Sequence, residues 1–125
     1  MNRWPAIEMT IEWRRPYALV RLIGGRWTLG VLGELAAGGL RFQDLHDVLD
    51  GVSHKVLTDT LRRAECDGLI RRHLDSGRMG TATLYELTDL GRSLDEPLAA
   101  LGRWADANWE LVEAAQRDWA SRTGS

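Results

Sequence analysis

Ser53 to Gly68, SHKVLTDTLRRAECDG, is the stretch whose reading decides how this chain folds. Ser53 has a side-chain oxygen suited to capping a helix N-terminus, and Gly68 stands where a helix commonly ends. On a helical period, Leu57, Leu61 and Ala64 share one side, with Val56 and Thr60 at its margin. The other side carries His54, Lys55, Thr58, Asp59, Arg62 and Arg63. Apolar residues thus hold the helix to a body while a polar, mostly cationic row faces outward. Such a helix meets the needs of a DNA major groove, where side chains must reach base edges and phosphates. Taken alone, the same pattern equally describes a solvated surface helix, so the flanking segments decide.

Upstream, Phe42 to Leu49 reads as a helix anchored by Phe42, Leu45, Val48 and Leu49, followed by an Asp50-Gly51 turn and a packing residue, Val52. Two short helices joined by a glycine-containing turn, the second with a polar outer face, form a helix-turn-helix. Before them, Trp27 to Ala37 predicts a helix with Leu29, Leu32, Leu35 and Ala36 inward, ended by Gly38-Gly39. Leu40 to Phe42 predicts a short strand. Pro16 opens an earlier apolar helix through Ile23, stopped by Gly24-Gly25. In Met1 to Arg15, Ile7, Met9, Ile11 and Trp13 alternate with Glu8, Thr10 and Glu12, the period of a strand-like arm.

Downstream of Gly68 the period changes from helical to alternating. Leu69 to Leu74 and Thr81 to Leu87 predict two strands around a glycine-containing hairpin loop at 75–80. A hairpin placed directly after a helix-turn-helix is a wing. Arg71, Arg72 and Arg78 then suit a wing lying along the DNA backbone, although arginines on an exposed hairpin also serve solubility. Thr88 caps the next helix. Pro97 either interrupts it or, with Asp95 as cap, lies near the start of another. Beyond it Leu98, Leu101, Ala105, Asn108, Val112, Ala115 and Trp119 recur at three- and four-residue spacings, widened by Trp104, Trp109 and Leu111. That much apolar surface on a terminal helix calls for a partner, most economically a second copy of the chain, with Asn108 fixing register.

Composition narrows the function classes. The 125 residues fit one domain with an appended helix, and no apolar run approaches a bilayer span. The N-terminus lacks a signal-peptide pattern. The single cysteine, Cys66, permits no internal disulfide and suits a reducing cytoplasm. Its neighbours Glu65 and Asp67 disfavour a thiolate, so an inert structural residue is expected. Net charge is −2, but it is unevenly spread. From Ser53 to Gly80 bases outnumber acids, and from Thr88 onward acids win, which would turn the middle of the chain toward phosphates. His46, His54, His73 and Cys66 show no metal-ligand spacing, and no nucleophile–base pattern or phosphate-cradling loop is present. No enzyme, metal or cofactor is expected. His46 and His73 read as surface residues.

These segments together, GGRWTLGVLGEL at Gly24 to Leu35, RFQDL at Arg41 to Leu45, GVSHKVLTDTLRRAECDGLIRR at Gly51 to Arg72 and YELTDLGRSL at Tyr85 to Leu94, resemble the HxlR-type, MarR-like regulators of bacteria. The likeness spans roughly Pro16 to Trp104. It implies a mainly α fold with a small β-wing (α+β): a winged helix-turn-helix with terminal dimerisation helices. The expected division is an arm at 1–15, a DNA-binding domain at 16–95 and a dimerisation helix at 96–125. It further implies a cytoplasmic homodimer that binds an inverted repeat in double-stranded promoter DNA, as a repressor, away from any membrane. Arg41, Ser53, Lys55, Thr58 and Arg62 match positions that approach DNA, Arg72 and Arg78 belong to the wing, and Trp27 matches a core position. His54 stands where a proline is usual and is itself a candidate for touching DNA. Asp59 replaces a neutral residue, so it should either accept from a cytosine amino group or tie down Arg62 or Arg63, the tie being favoured. Arg15 stands where many members have a sensing cysteine, so thiol sensing there does not carry over.

Two alternatives stay open. The extra tryptophans either fill a dimer core or let Trp13, Trp104 and Trp109 hold a small aromatic effector at the subunit interface. The same fold could also serve as a protein-interaction module without specific DNA binding, as the acidic balance and Asp59 would suit.

Overall fold

The computed structural model describes residues 13–77 and 80–124. The alternating arm before Trp13 and the tip residue Arg78 lie outside the described residues. The chain falls into two compact units that meet between Arg92 and Ser93.

Among the described residues, the first unit holds five helices and a three-stranded antiparallel sheet. Helices α1 (Arg14–Ile23) and α2 (Thr28–Leu35) precede a short strand β1 (Leu40–Arg41), followed by α3 (Phe42–Val48) and α4 (His54–Cys66). Strands β2 (Ile70–Gly77) and β3 (Gly80–Leu87) form the hairpin, and a one-turn helix, α5 (Asp89–Arg92), follows. The sheet order is β1-β3-β2, so the hairpin is anchored through its second strand to the segment that leads into α3. This is the winged helix-turn-helix that the periodicities imply.

The core gathers one apolar row from each element: Val31, Leu32 and Leu35 from α2, Leu45 and Leu49 around α3, Leu57, Leu61 and Ala64 from α4, and Ile70 and Leu87 from the hairpin base. Each fully buried leucine contributes roughly 1.5–3 kcal/mol of burial free energy. Three expected details change. In α2 the inward row is Thr28, Val31, Leu32 and Leu35, whereas Leu29 and Ala36 are exposed. The helix carries apolar residues on both sides, and packing against α4 selected the row that contains Val31. Val48 points to solvent at the end of α3, while Phe42 is half-buried. The strands also run further than expected. Pairing continues to Gly77 opposite Gly80, so two residues connect the strands rather than a six-residue loop.

Both prolines near helix starts are absorbed in first turns. Helix α1 begins at Arg14, ahead of Pro16, whose missing N–H falls among donors that lack an intrahelical partner anyway. Pro97 does the same in α6 (Asp95–Thr123), where Leu94 rather than Asp95 is the N-cap. The end of α4 depends on Gly68. With φ +77° it donates its N–H to the Glu65 carbonyl, while Leu69 donates to Ala64. This pair of bonds closes the helix and launches β2. Thr88 then locks the far end of the hairpin. Its hydroxyl donates to the Gly68 carbonyl at 2.6 Å and accepts from the Gly91 N–H at 3.0 Å. A Cβ on Gly91 would stand 2.1 Å from the Leu69 carbonyl oxygen, so only glycine lets α5 cross the start of β2 this closely.

The second unit is α6. None of its residues is buried, and Leu101, Trp104, Trp109, Leu111 and Trp119 are each more than half exposed. Among the described residues, no helix is long and apolar enough to cross a membrane, and no group of three His, Cys, Asp or Glu side chains could hold a metal ion.

Candidate nucleic-acid interface

The candidate surface is assembled on two successive helix starts. Ser53 caps α4, its hydroxyl accepting from the Val56 N–H at 3.1 Å. Arg41 heads α3 in extended conformation, its backbone N–H donating to the Asp44 carboxylate at 3.4 Å. Between them the turn at Asp50-Gly51 uses φ +92° at Gly51, a conformation natural to glycine. Val52 is buried and pins the turn, so the direction of α4 is fixed at both ends by packing.

Along α4, Lys55, Asp59 and Arg62 form one exposed row at spacings of four and three, with Thr58 half-buried beside it. Asp59 is tied within the helix, but to Lys55 at 3.2 Å and not to Arg62 or Arg63. Both side chains stay mostly exposed, at 84% and 60%, so the pair contributes at most about 0.5 kcal/mol and yields readily to a better partner. Arg62 has no ion-pair partner among the described residues.

His54 is less free than its place at the start of α4 suggests. Its ring centroid lies 4.2 Å from that of His46 and 5.3 Å from that of Phe42, and Phe42 stacks on His46 at 6.4 Å. Three rings from α3 and α4 therefore clasp the helix-turn-helix on its outer side. His46, expected as a plain surface residue, is half-buried in this cluster. The spacing Phe42–His46, one helical turn, was the available signal, but the partner across the turn was not legible.

On the wing, strand alternation separates the two arginines expected to act together. Arg71 sits opposite Glu86 and its Nε donates to that carboxylate at 2.6 Å, with His73 Nε2 3.3 Å from the same oxygen. Arg72 points to the other face and lies 3.9 Å from Glu65 of α4. The Arg71 hydrogen bond, aided by the charges of Arg71 and His73, holds the Glu86 carboxyl below the usual carboxylate range against the opposing effect of partial burial. Arg71 is thus a strut of the hairpin, while Arg72 is more loosely held, 3.9 Å from Glu65.

Trp13 lies in the turn before α1, edge-on to Tyr17 at 5.4 Å. On α6, Trp104 and Trp109 stand five positions apart, which turns them about 140° from each other around the helix. They flank the Leu101–Ala105–Asn108–Val112 seam on opposite sides, so no single copy of α6 brings them into one pocket. The Asn108 amide donates to the Trp104 carbonyl at 2.9 Å, one turn back. Trp27 is half-buried with the Arg26 guanidinium 4.9 Å over its ring.

Residues 22–113 match the family described as HxlR-like helix-turn-helix. The HTH-type transcriptional regulator YtcD of Bacillus subtilis (strain 168) is 34% identical over 87 residues, covering 70% of this chain and 68% of that protein. The HTH-type transcriptional regulator YtfH of Escherichia coli (strain K12) is 32% identical over 103 residues, covering 82% and 81%. Among solved structures, a transcriptional regulator of the MarR family from Enterococcus faecalis V583 superposes with a TM-score of 0.67 at 28% identity, covering 91% of this chain and 94% of its own.

Proposed function

The chain belongs to the HxlR-like helix-turn-helix family of transcriptional regulators, which are not enzymes, and from that premise we propose that it is a cytoplasmic repressor that binds promoter DNA as a homodimer. Two copies of α4 enter successive major grooves of an inverted repeat, with half-sites about 10–10.5 base pairs apart. The described part of the 16–95 segment supplies the DNA-binding body, and α6 supplies the dimer contact through its Leu98-to-Trp119 seam.

The observation that carries this reading is the exposed row Lys55–Asp59–Arg62 on a helix that is capped by Ser53 and held rigidly from behind by Leu57, Leu61 and Ala64. A rigid helix keeps its outward side chains in register with base edges. The exposed Lys55–Asp59 pair supplies one cation that can exchange its partner and one acceptor that can meet a cytosine amino group. Arg41 at the start of α3 and Arg72 on the wing are further exposed cations of the same unit.

Binding is tested on the operator, located by mapping bound fragments of the source genome. Affinity for it should fall steeply with salt as counterions are released. Lys55→Ala and Arg62→Ala should each weaken the specific complex by about 1–3 kcal/mol if their side chains read bases. Unaltered operator affinity in both variants removes α4 from the reading role, whereas absence of any salt-dependent, specific duplex binding favours a protein-interaction module.

A further inference from the structure

A cleft of about 210 Å³ runs along one flank of α4, between that helix, the C-terminal half of α1 and the turn leading into α2. Its α4 side is formed by Val56, Asp59, Thr60 and Arg63. Asp59 is shared with the outward row (Lys55, Asp59, Arg62), while Val56, Thr60 and Arg63 lie between that row and the buried row (Leu57, Leu61, Ala64). The opposite side brings Arg21 from α1, Gly25 from the turn and Thr28 from α2.

We propose that this cleft seats a phosphate of the DNA backbone, at the wall of the groove that α4 enters. The inference rests on the DNA-binding reading above and adds two residues to it, Arg21 and Arg63. An α-helix with side chains is about 10–12 Å across and the major groove is about 12 Å wide. A helix lying in the groove therefore meets bases along its outward row and phosphates along its flanks. Arg63 is on the flank, not on the outward row.

Three features make the flank suited to an oxyanion. Arg21 and Arg63 come from different helices, and neither has an ion-pair partner among the described residues. The one acid on the rim, Asp59, is paired with Lys55 at 3.2 Å in the DNA-free chain. Thr28 is the first residue of α2, whose N-cap residue Trp27 makes no side-chain capping bond. The positive end of that helix therefore borders the cleft, with the Thr28 N–H donating to the Gly25 carbonyl at 3.2 Å, and Gly25 leaves the turn beside it without a side chain.

The shared chemistry is an oxyanion, and the experiment separates a backbone phosphate from a free anion. Affinities of the full-length chain, Arg21→Ala, Arg63→Ala and Arg63→Lys are measured against the operator and a scrambled duplex over a range of salt. Each alanine variant removes one contact from each of the two protomers and should reduce the slope of log affinity against log salt by about 1.8, about 0.9 per protomer, weakening both duplexes by the same factor. Arg63→Lys should restore the slope, because a phosphate accepts a point charge. Unchanged slopes in both alanine variants, while the unaltered chain still binds its operator, overturn the cleft assignment and leave the regulator reading standing. A loss confined to the operator also overturns it, because that is the signature of a base contact. Titration of DNA-free protein with inorganic phosphate, followed at the backbone amides of Gly25 and Thr28, covers the other source. Saturable shifts there, together with an unchanged salt slope in Arg63→Ala, assign the cleft to a free anion and overturn the proposal. Absence of any salt-dependent duplex binding by the unaltered chain takes both readings down together.

Discussion

Glu86 shows how one carboxylate can change what its neighbours are available to do. It accepts from Arg71 at 2.6 Å and lies 3.3 Å from His73, both on the strand it pairs with. Arg71 is therefore committed to the hairpin, and its value to the wing is stiffness rather than a free charge. The same contact predicts a pH dependence. Because Arg71 lowers the Glu86 carboxyl in the folded state, the interaction stabilises the fold above the carboxyl's unfolded value. That stabilisation is lost as pH falls through the lowered folded value. Glu86→Gln should accordingly be less stable than the natural chain at neutral pH, and the difference should vanish under acid, as read from urea unfolding midpoints across that range. A difference that stays constant with pH would show that Glu86 acts through shape alone. Asp59 is the contrasting case. Its partner is the mostly exposed Lys55 and no fixed strut results.

At the scale of the element, α4 is held by a cap, an apolar row and a glycine stop, each written into its own sixteen-residue stretch. The Ser53 hydroxyl satisfies the Val56 N–H of its first turn by a capping bond. Ser53→Ala should destabilise the fold by about 1 kcal/mol, whereas Ser53→Asp should retain most of that stability, since aspartate caps as well as serine. Denaturant midpoints distinguish the two, and equal losses would mean that the capping bond is not what Ser53 contributes. These local features were readable because a cap, a helical period and a glycine C-terminal stop each act within one turn of chain. The buried side of α2 was not readable in the same way. Leu29 and Leu32 look alike in sequence, yet one is exposed and the other is core. Local period fixes which residues share a side; it does not say which side meets the body when both are apolar.

For the whole molecule, the proposal depends on pairing two copies through α6, whose large apolar side chains Leu101, Trp104 and Trp109 are mostly exposed. A charge placed in the middle of the seam, Leu101→Asp, should leave the helix formed but yield a monomer at concentrations where the natural chain is dimeric, as read by sedimentation equilibrium. Operator affinity should fall with it, because the two half-sites would no longer be bound as one linked event. A Leu101→Asp chain that remains dimeric would move the contact away from this seam. The sequence by itself determined the order of elements, the capped helix with its cationic outer row, the hairpin after it and the family. All of these are carried by short-range periods and by motifs in a fixed order. Only the tertiary structure decided that Arg71 belongs to Glu86, that Asp59 reaches back to Lys55, that His46 and Phe42 close on His54, and that Arg21 and Arg63 line one cleft. Strand register, side-chain rotamers and the packing of distant elements set those contacts, and none of these leaves a period along the chain.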